Sequence, residues 1–226
     1  MLRNDVERLG FSIIPEAFAL NDMAGFVTDL EADPLPCTRA GIRHAMRHPA
    51  VTKLANNPRL LEIARTILGD AAIPFRATLF DKSQASNWLV VWHQDTALPL
   101  QQRSEVSGWG PWSIKDGVNY AHAPAAALSN VLALRVHLDD SMARNGPLRV
   151  LPGTHTRGVL TDETIHELAT QISAVDCIVP AGGILAMKPL LVHSSSKSLE
   201  KARRRVLHIE YAASLCVEHG LKLEIA

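Results

Sequence analysis

The chain has 226 residues, of which 47% are hydrophobic and 20% are charged, an ordinary composition for a globular protein with a full hydrophobic core. Lysine and arginine together number 23, as do aspartate and glutamate, so the formal net charge is +0. A neutral chain without a basic stripe or a polybasic tail is not expected to bind nucleic acid or an anionic membrane as its main partner. The length favours one domain over residues 1–226.

The beginning of the chain and its cysteines favour a cytoplasmic protein. Acidic and basic residues interrupt the first apolar segment, unlike the apolar region of a signal peptide. No segment approaches the roughly 20 apolar residues that are needed to span a bilayer. Cys37, Cys177 and Cys216 are odd in number and widely spaced, which favours reduced, packed thiols over a disulfide framework or a zinc site.

The first third of the chain predicts helices around one short strand. The segment FSIIP (11–15) is rich in β-branched residues and reads as a strand. NDMAGFVTDLEA (21–32) has apolar residues at helical spacing, with Asn21 as the predicted N-cap. NNPRLLEIARTILGD (56–70) predicts the clearest helix, which Asn57 can cap.

From residue 73 onward the pattern changes to short strands that are separated by turns. The candidate strands are IPFRATLF, WLVVWHQD, NVLALRVHL, LRVLP, DCIVP, ILAMKPLLVH and RRVLHIEYA. One helix, TDETIHELATQI, interrupts the series with Thr161 as its predicted cap. Many short strands at fairly regular spacing predict a β-sandwich or barrel, here with helices packed outside it.

A long stretch between two candidate strands, residues 101–126, is predicted to be irregular. Loops of this length in compact domains are often functional lids. Trp109, Trp112 and Tyr120 lie in it among glycines and polar residues, a mixture suited to closing over a small organic ligand. We predict Trp109 and Trp112 as substrate contacts; an equally supported alternative is that the tryptophans only cover the barrel.

The segment WHQD carries the first candidate metal ligands. His93 and Asp95 project from the same face of a strand, whereas Gln94 points away and is predicted to be structural. A buried carboxylate is costly unless it is paired or bound to a metal, although a hydrogen-bonded His–Asp pair would also fit. His193 ends another apolar strand, and two histidines with one carboxylate form the facial triad of non-haem Fe(II) oxygenases.

An arginine cluster lies near the predicted metal strand. Arg204 follows His193 by eleven residues, enough for the chain to turn and bring its guanidinium beside the metal, where it can bind a carboxylate with two hydrogen bonds. Alternation along the strand places Arg204 on the same face as His208, whereas Arg203 and Arg205 point towards solvent or a helix. A one-residue slip would reverse this assignment.

The segments WHQDTALPL, NGPLRVLPGTH, GGILAMKPLLVHSS and RRVLHIEYA, in this order, resemble the phytanoyl-CoA dioxygenase family of Fe(II)/2-oxoglutarate oxygenases, to which ectoine hydroxylase also belongs. The resemblance covers about residues 73–213. It implies a mainly β fold with flanking α-helices, a double-stranded β-helix (a cupin-like jelly roll). The site residues that it implies are His93, Asp95 and His193 for iron and Arg204 and Ser195 for 2-oxoglutarate.

The resemblance also implies a reaction. O2 and 2-oxoglutarate would be consumed, a C–H bond of a small organic metabolite would be hydroxylated or otherwise oxidised, and succinate and CO2 would be coproducts. Asp95 favours hydroxylation over halogenation, because related halogenases carry a small residue in its place. Two hypotheses stay open beside this one: a non-catalytic barrel that binds a small acid, and a cupin-type metalloenzyme that does not use 2-oxoglutarate.

Several other polar residues receive more ordinary interpretations. Arg76 and Lys82 lie on or beside the strand before the metal motif. Either could meet an anionic substrate, and Arg76 is retained as a candidate substrate residue, although a solvated strand edge is favoured for both. His208 lies within a strand and is predicted to be a core or pocket histidine. His44 and His48 lie outside strands and are predicted to be solvated.

Overall fold

Helices concentrate in the first third of the chain and strands in the rest, as the sequence pattern predicts. The structure is a computed structural model that describes residues 1–36 and 41–226. The helices are α1 (Leu2–Leu9), α2 (Leu20–Ala32), α3 (Pro49–Ala55), α4 (Pro58–Leu68), α5 (Ala125–Ser129) and α6 (Asp162–Gln171). The strands are β1 (Phe11–Ile14), β2 (Gly41–Ile42), β3 (Ile73–Lys82), β4 (Val90–His93), β5 (Ala97–Leu100), β6 (Trp112–Lys115), β7 (Val118–His122), β8 (Val131–His137), β9 (Leu148–Val150), β10 (Val175–Cys177), β11 (Ile184–Met187), β12 (His193–Ser195) and β13 (Arg204–Ala212).

Two of the three predicted N-caps are present. The Asn57 side chain accepts a hydrogen bond from the Arg59 amide at 2.9 Å, and the Thr161 hydroxyl caps α6. The prediction for Asn21 was wrong. The N-cap of helix α2 is Ala19, two residues earlier, because the Ala19 carbonyl already accepts the first amide bonds of the helix. Asn21 therefore lies inside the first turn.

Two antiparallel sheets enclose the interior of the β region. The major sheet has the strand order β1-β11-β8-β13-β3-β2, and the minor sheet has the order β10-β9-β12-β4. Their inner faces approach each other closely, since Lys82 of the major sheet donates a hydrogen bond to Ser195 of the minor sheet at 2.7 Å. This arrangement is the predicted jelly roll, with α1–α4 on the outer side of the major sheet and α6 packed against the minor sheet.

Strand β13 shows how the sequence divides the two faces of the major sheet. Leu207, Ile209 and Tyr211 are fully buried against the helical layer, and the Tyr211 hydroxyl donates to the Ala55 carbonyl of α3 at 2.7 Å. Burying an aliphatic or aromatic side chain of this size stabilises the fold by about 1.5–3 kcal/mol. This apolar face therefore determines which side of the strand meets the helices, and the intervening polar residues, such as His208, face the interior.

The stretch 101–126 is more regular than its composition predicts. Strands β6 and β7 form a hairpin that pairs with β5 in a third sheet of order β5-β7-β6. Asp116 and Gly117 form its turn with φ values of 49° and 82°, the two positive φ angles of a type I′ turn, for which Asp-Gly is a favoured sequence. The prediction of an irregular loop was wrong, and this dipeptide was the signal that could have corrected it.

The structure bears on the expectations about membrane-spanning helices and about the cysteine thiols. No helix among residues 1–36 and 41–226 is both long and apolar enough to cross a membrane. Cys177 is buried and Cys216 is exposed, and both are free thiols. Cys216 therefore does not have the packed environment that was predicted for it, and Cys37 lies outside the described residues.

Candidate active site

The three predicted metal ligands converge on one point between the sheets. His93 ends β4, and its Cα lies opposite that of His193 in β12. Asp95 follows two residues after His93; its Oδ1 lies 3.7 Å from the His93 Nε2 and its Oδ2 lies 3.5 Å from the His193 Nε2. One ligand atom from each residue lies within 4.8 Å of the others, a spacing that a single ion can bridge.

Backbone contacts prepare both histidines to bind a metal. The His93 Nδ1 lies 2.8 Å from the Val91 carbonyl, and the His193 Nδ1 lies 2.8 Å from the Leu191 carbonyl. A carbonyl oxygen can only accept a hydrogen bond, so each Nδ1 carries the proton and each Nε2 keeps a free lone pair. Such contacts orient the ring and select the tautomer in metal sites.

The pKa values of His193 and Asp95 are shifted towards the protonation states that bind a metal. Burial lowers the pKa of His193 to about 4, although Asp95 opposes this effect, so the imidazole is neutral near pH 7. Burial alone would raise the pKa of Asp95, but His193, His208 and His93 hold it well below its usual range. A neutral imidazole beside an ionised carboxylate is the state in which both groups can bind a cation.

Gln94 fixes the position of the two ligands that flank it. Its amide nitrogen donates to the Leu190 carbonyl at 2.7 Å and to the Gly158 carbonyl at 2.9 Å. Its amide oxygen accepts from the Leu160 amide at 2.8 Å. These bonds attach the metal-binding segment to two neighbouring loops, which is the structural role predicted from alternation.

A cavity of about 340 Å³ opens at the triad, near the lower limit for small-molecule sites in proteins. Its major-sheet wall consists of alternate residues of β3 and β13. Because Lys82 is the register partner of Arg204 and Arg76 that of Glu210, the wall has a Lys82 end and an Arg76 end.

The Lys82 end holds three buried cations, namely Lys82, Arg135 and Arg204, with 1%, 6% and 4% of their surface exposed. Within residues 1–36 and 41–226, none of them forms an ion pair with a carboxylate, and the Nε atoms of Arg135 and Arg204 lack a hydrogen-bond partner. Burial and the two arginines lower the pKa of Lys82 to about 7. Burying a charge without a partner is costly, so an anion that bound at this end would be stabilised by these cations.

Ser195 lies at the same end, but its hydroxyl already has partners. It donates to the Gly146 carbonyl at 2.9 Å and accepts from the Lys82 ammonium. A carboxylate that bound here would need a new orientation of this hydroxyl to receive its hydrogen bond. In the present geometry Ser195 holds Lys82 in place.

The arginines next to Arg204 point to the opposite face of β13. Arg203 forms ion pairs with Asp81 and Glu31, and Arg205 binds Asp139 and the same Glu31, which lies in α2. Arg204 is therefore the member of the cluster that reaches the cavity, as alternation of side chains predicts.

Arg76 lines the cavity, but its charge is already compensated. Its guanidinium forms a two-point ion pair with Glu210 and donates to the Ala97 carbonyl at 2.8 Å. Burial alone would lower the pKa of Arg76, but Glu210 raises it. His208, 3.7 Å from Glu210 and 2.9 Å from Arg135, continues this network across the cavity wall.

The two tryptophans predicted as substrate contacts do not line the cavity. Trp109 is 7% exposed and belongs to a hydrophobic cluster that contains Leu98 and Leu128, and Trp112 packs against the same cluster. The hairpin instead presents Tyr120 and Lys115 to the cavity. A direct contact of either tryptophan with substrate therefore has no geometric support, and their placement matches the alternative reading as covering residues.

Sequence reasoning also missed polar residues that the fold buries. Lys82 was predicted at a solvated edge, yet it is 1% exposed; it shares the inward parity of Arg76 on β3, a regularity visible in the sequence. His44 and His48 were predicted to be solvated and are 2% and 3% exposed. Arg135 lies in β8, where His137 is the only other polar residue, and a charged residue in so apolar a strand was its only signal.

Comparison with known proteins gives one family. The family model described as phytanoyl-CoA dioxygenase matches residues 37–206. The L-proline trans-4-hydroxylase of Streptomyces griseoviridis is 27% identical in an alignment 187 positions long that covers 70% of this chain and 61% of that protein. The ectoine dioxygenase of Stutzerimonas stutzeri is 22% identical over 91% of this chain and 74% of its own length. The chain thus spans less than two thirds of the proline hydroxylase.

Solved structures share the fold. EctD from S. alaskensis with 2-oxoglutarate and 5-hydroxyectoine has a TM-score of 0.68 at 21% identity, covering 93% of this chain and 74% of that one. The epimerase SnoN in complex with Fe3+, alpha ketoglutarate and nogalamycin RO has a TM-score of 0.70 at 17% identity, covering 95% of this chain and 83% of that one. At these identities the likeness concerns the fold alone.

Proposed function

We propose that this chain, which belongs to the phytanoyl-CoA dioxygenase family, uses Fe(II), 2-oxoglutarate and O2 to oxidise a C–H bond of a small organic molecule. Hydroxylation, with succinate and CO2 as coproducts, is the form of this reaction that we favour. One observation carries the proposal: a triad of metal-ligand type and a buried, uncompensated cationic cluster line the same cavity. A metal and an anionic cosubstrate could therefore bind side by side.

The donor set fits ferrous iron. His93 and His193 would supply imidazole nitrogens and Asp95 a carboxylate oxygen, the mixed set that iron oxygenases use. The Cα atoms of the two histidines are opposite one another on adjacent strands, so their rings approach the metal from the same wall. The remaining coordination positions would then face the cavity. When bound, iron would activate O2, which would supply the oxidising equivalents for both the substrate C–H bond and the oxidation of 2-oxoglutarate to succinate and CO2.

The Lys82 end fits the far carboxylate of 2-oxoglutarate. Arg204 has a buried Nε without a partner in the described part of the chain, so it can donate two parallel hydrogen bonds to a carboxylate. Lys82 would add a third charged donor, and Ser195 would hold the ammonium in place. This extends the sequence prediction, which named Arg204 and Ser195 but not Lys82.

The contribution of the protein is geometry and the exclusion of water. The two sheets surround the triad, the backbone carbonyls of residues 91 and 191 orient the imidazoles, and the hairpin β6–β7 covers one side. Closing a reactive centre away from solvent prevents side reactions and strengthens electrostatic contacts inside it. We propose that the cavity-facing hairpin residues, Tyr120 and Lys115, rather than the two tryptophans, meet the substrate, with Arg76 behind them.

Three further statements are proposals of the same kind. The substrate is a small metabolite, as proline and ectoine are for the named relatives. Residues 1–226 form a single oxygenase domain, because one hydrophobic cluster joins the helices of the first third to the major sheet. The protein is cytoplasmic, which the free thiols of Cys177 and Cys216 support, because disulfides are rare in the reducing cytosol.

The experiment is a decarboxylation assay. The purified chain is incubated with 2-oxoglutarate, O2 and Fe(II), and succinate is quantified with and without each component and with His193→Gln as the matched variant. We expect slow succinate formation that needs all three components and is lost in the variant. Metal binding without succinate would favour the cupin-type alternative. Acid binding with neither metal dependence nor turnover would favour the non-catalytic barrel.

A further inference from the structure

The cavity is longer than one cosubstrate. Arg76 and Lys82 both face it from β3 and are six residues apart, so about 20 Å of strand separates them at about 3.3 Å per residue. A five-carbon dicarboxylate is about 6 Å long, since its four carbon–carbon bonds measure about 1.5 Å each. With one carboxylate at Arg204 and the other end at the metal, 2-oxoglutarate would leave the Arg76 end open.

The Arg76 end carries cationic charge of its own. Lys115 of the hairpin and Arg43, which follows β2, line the cavity there. The Lys115 ammonium lies 4.7 Å from the centre of the Tyr120 ring, and the Tyr120 hydroxyl lies 3.0 Å from the His44 Nε2. The Arg76 guanidinium lies 5.8 Å from the centre of the same tyrosine ring, so Lys115 and Arg76 both approach Tyr120. In agreement with this geometry, burial lowers the pKa of Lys115, and Arg76 and Arg43 lower it further.

In the described part of the chain, only one of these three positive charges is paired with a carboxylate. Arg76 is neutralised by Glu210, but within the described part of the chain neither Arg43 nor Lys115 forms an ion pair. Fe(II), 2-oxoglutarate and Asp95 would together leave a net charge of about −1, but the cosubstrate would lie between the metal and the Lys82 end, so it would not pair directly with Arg43 or Lys115. A positive potential at a cavity mouth attracts anions and repels cations.

We propose that the substrate carries a carboxylate, and that Arg43 and Lys115 bind this carboxylate at the Arg76 end of the cavity. The C–H bond to be oxidised would then lie between that carboxylate and the metal. Arg43 offers a planar fork of donors and Lys115 a compact point charge, and Tyr120 supplies the wall against which the bound molecule packs. This inference rests on the proposed function and adds the substrate class to it.

The test compares acids with their uncharged counterparts. The standard amino acids, their N-acetyl derivatives and simple aliphatic and aromatic acids are each paired with the corresponding carboxamide. Binding is measured by calorimetry with Mn(II) and 2-oxoglutarate present, and succinate formation is measured with Fe(II). We expect at least one acid to bind at least about tenfold more tightly than its amide, the effect of one good charged contact, and to accelerate succinate formation.

Variants of the cavity cations test where the carboxylate of the substrate binds. In Arg43→Gln and Lys115→Gln the preference for the acid over its amide should fall by about tenfold. In Arg47→Gln, an exposed cation four residues from Arg43 that does not line the cavity, the preference should remain. The proposal is overturned if no acid binds better than its amide, or if both cavity variants keep the preference. A wild-type protein that never forms succinate contradicts the proposed function instead, whatever the calorimetry shows.

Discussion

The His93 and His193 rings lie on adjacent strands with their centres 4.2 Å apart and their planes inclined by 52°. Each donates its Nδ1 proton to the carbonyl of the residue two positions earlier, at 2.8 Å. The same local contact is thus repeated on two strands that are 100 residues apart in sequence, and it leaves both Nε2 atoms directed towards Asp95. The three side chains thus have the arrangement that a candidate metal-ligand set requires.

The first prediction concerns Asp95. Replacing it by asparagine keeps the size of the side chain but removes the charge that balances a divalent cation. Changes to residues that merely support metal ligands weaken binding about 10- to 100-fold, so the affinity for Fe(II) or Mn(II) should fall by more than about 100-fold, measured by calorimetry under anaerobic conditions. Asp176→Asn, on an exposed strand, is the control. Unchanged metal affinity in Asp95→Asn would remove this residue from the ligand set.

The second prediction separates Arg204 from its neighbour. Arg204→Ala removes a buried, charge-assisted contact, a loss of about 2–5 kcal/mol, so the KM for 2-oxoglutarate should rise about 30-fold or more. Metal affinity should change little. Arg203→Ala is the matched control, because Arg203 binds Asp81 and Glu31 outside the cavity. The opposite result, a strong effect only in Arg203→Ala, would show that a different arginine binds the cosubstrate.

The third prediction is a pH dependence that Lys82 produces. The pKa of its ammonium is lowered to about 7 by burial and by Arg204 and Arg135. Lys82 is therefore cationic below that pH and increasingly neutral above it. A bound dianion favours the cationic form, so the KM for 2-oxoglutarate should rise with pH above about 7, by up to about tenfold per pH unit.

The control for this pH dependence is Lys82→Met, which should bind 2-oxoglutarate weakly at every pH and without the rise. Initial rates over a range of 2-oxoglutarate concentrations at several pH values measure both proteins. If Lys82→Met shows the same rise in KM as the wild type, the titrating group is not Lys82.

The fourth prediction concerns stability. Gln94→Ala leaves the Leu190 and Gly158 carbonyls and the Leu160 amide without their side-chain partner. Each unsatisfied buried group costs about 1–3 kcal/mol, and partial access of water should limit the total to about 2–4 kcal/mol in the free energy of unfolding, measured by urea denaturation. Gln102→Ala, at an exposed position, should have no measurable effect. Equal stability of the two variants would mean that the loops are held by other contacts.

The fifth prediction compares Trp109, which packs in a hydrophobic cluster, with Tyr120, which lines the cavity. Trp109→Ala should lower the free energy of unfolding by about 3–5 kcal/mol, as expected for a large aromatic residue in a core cluster. Tyr120→Phe should lower the free energy of unfolding by only about 1–3 kcal/mol, because it leaves the buried His44 Nε2 without its partner. It should change the coupling of succinate formation to substrate oxidation, because Tyr120 lines the cavity. A change in coupling confined to Trp109→Phe, with normal stability, would instead support the earlier prediction that the tryptophan meets the substrate.

Particular residues show why some predictions succeeded. His93 and Asp95 are two positions apart on one strand, and Arg204 shares a face with His208; both relations follow from the two-residue period of a strand. The caps Asn57 and Thr161 act on amides within three residues. In these cases the physical cause is local, so the sequence contains all of it.

The sequence by itself determined the order and type of most elements, the inward parity of β4 and β13, the candidate triad and the family. The tertiary structure decided which polar residues become buried and whose charges are compensated. Lys82 and Arg76 have the same parity on β3, yet only the packing of distant strands gives Arg76 a carboxylate partner in Glu210 and leaves Lys82 with Ser195. Burial and electrostatic compensation depend on groups that are far apart in sequence, and for this reason local patterns could not predict the cationic character of the cavity.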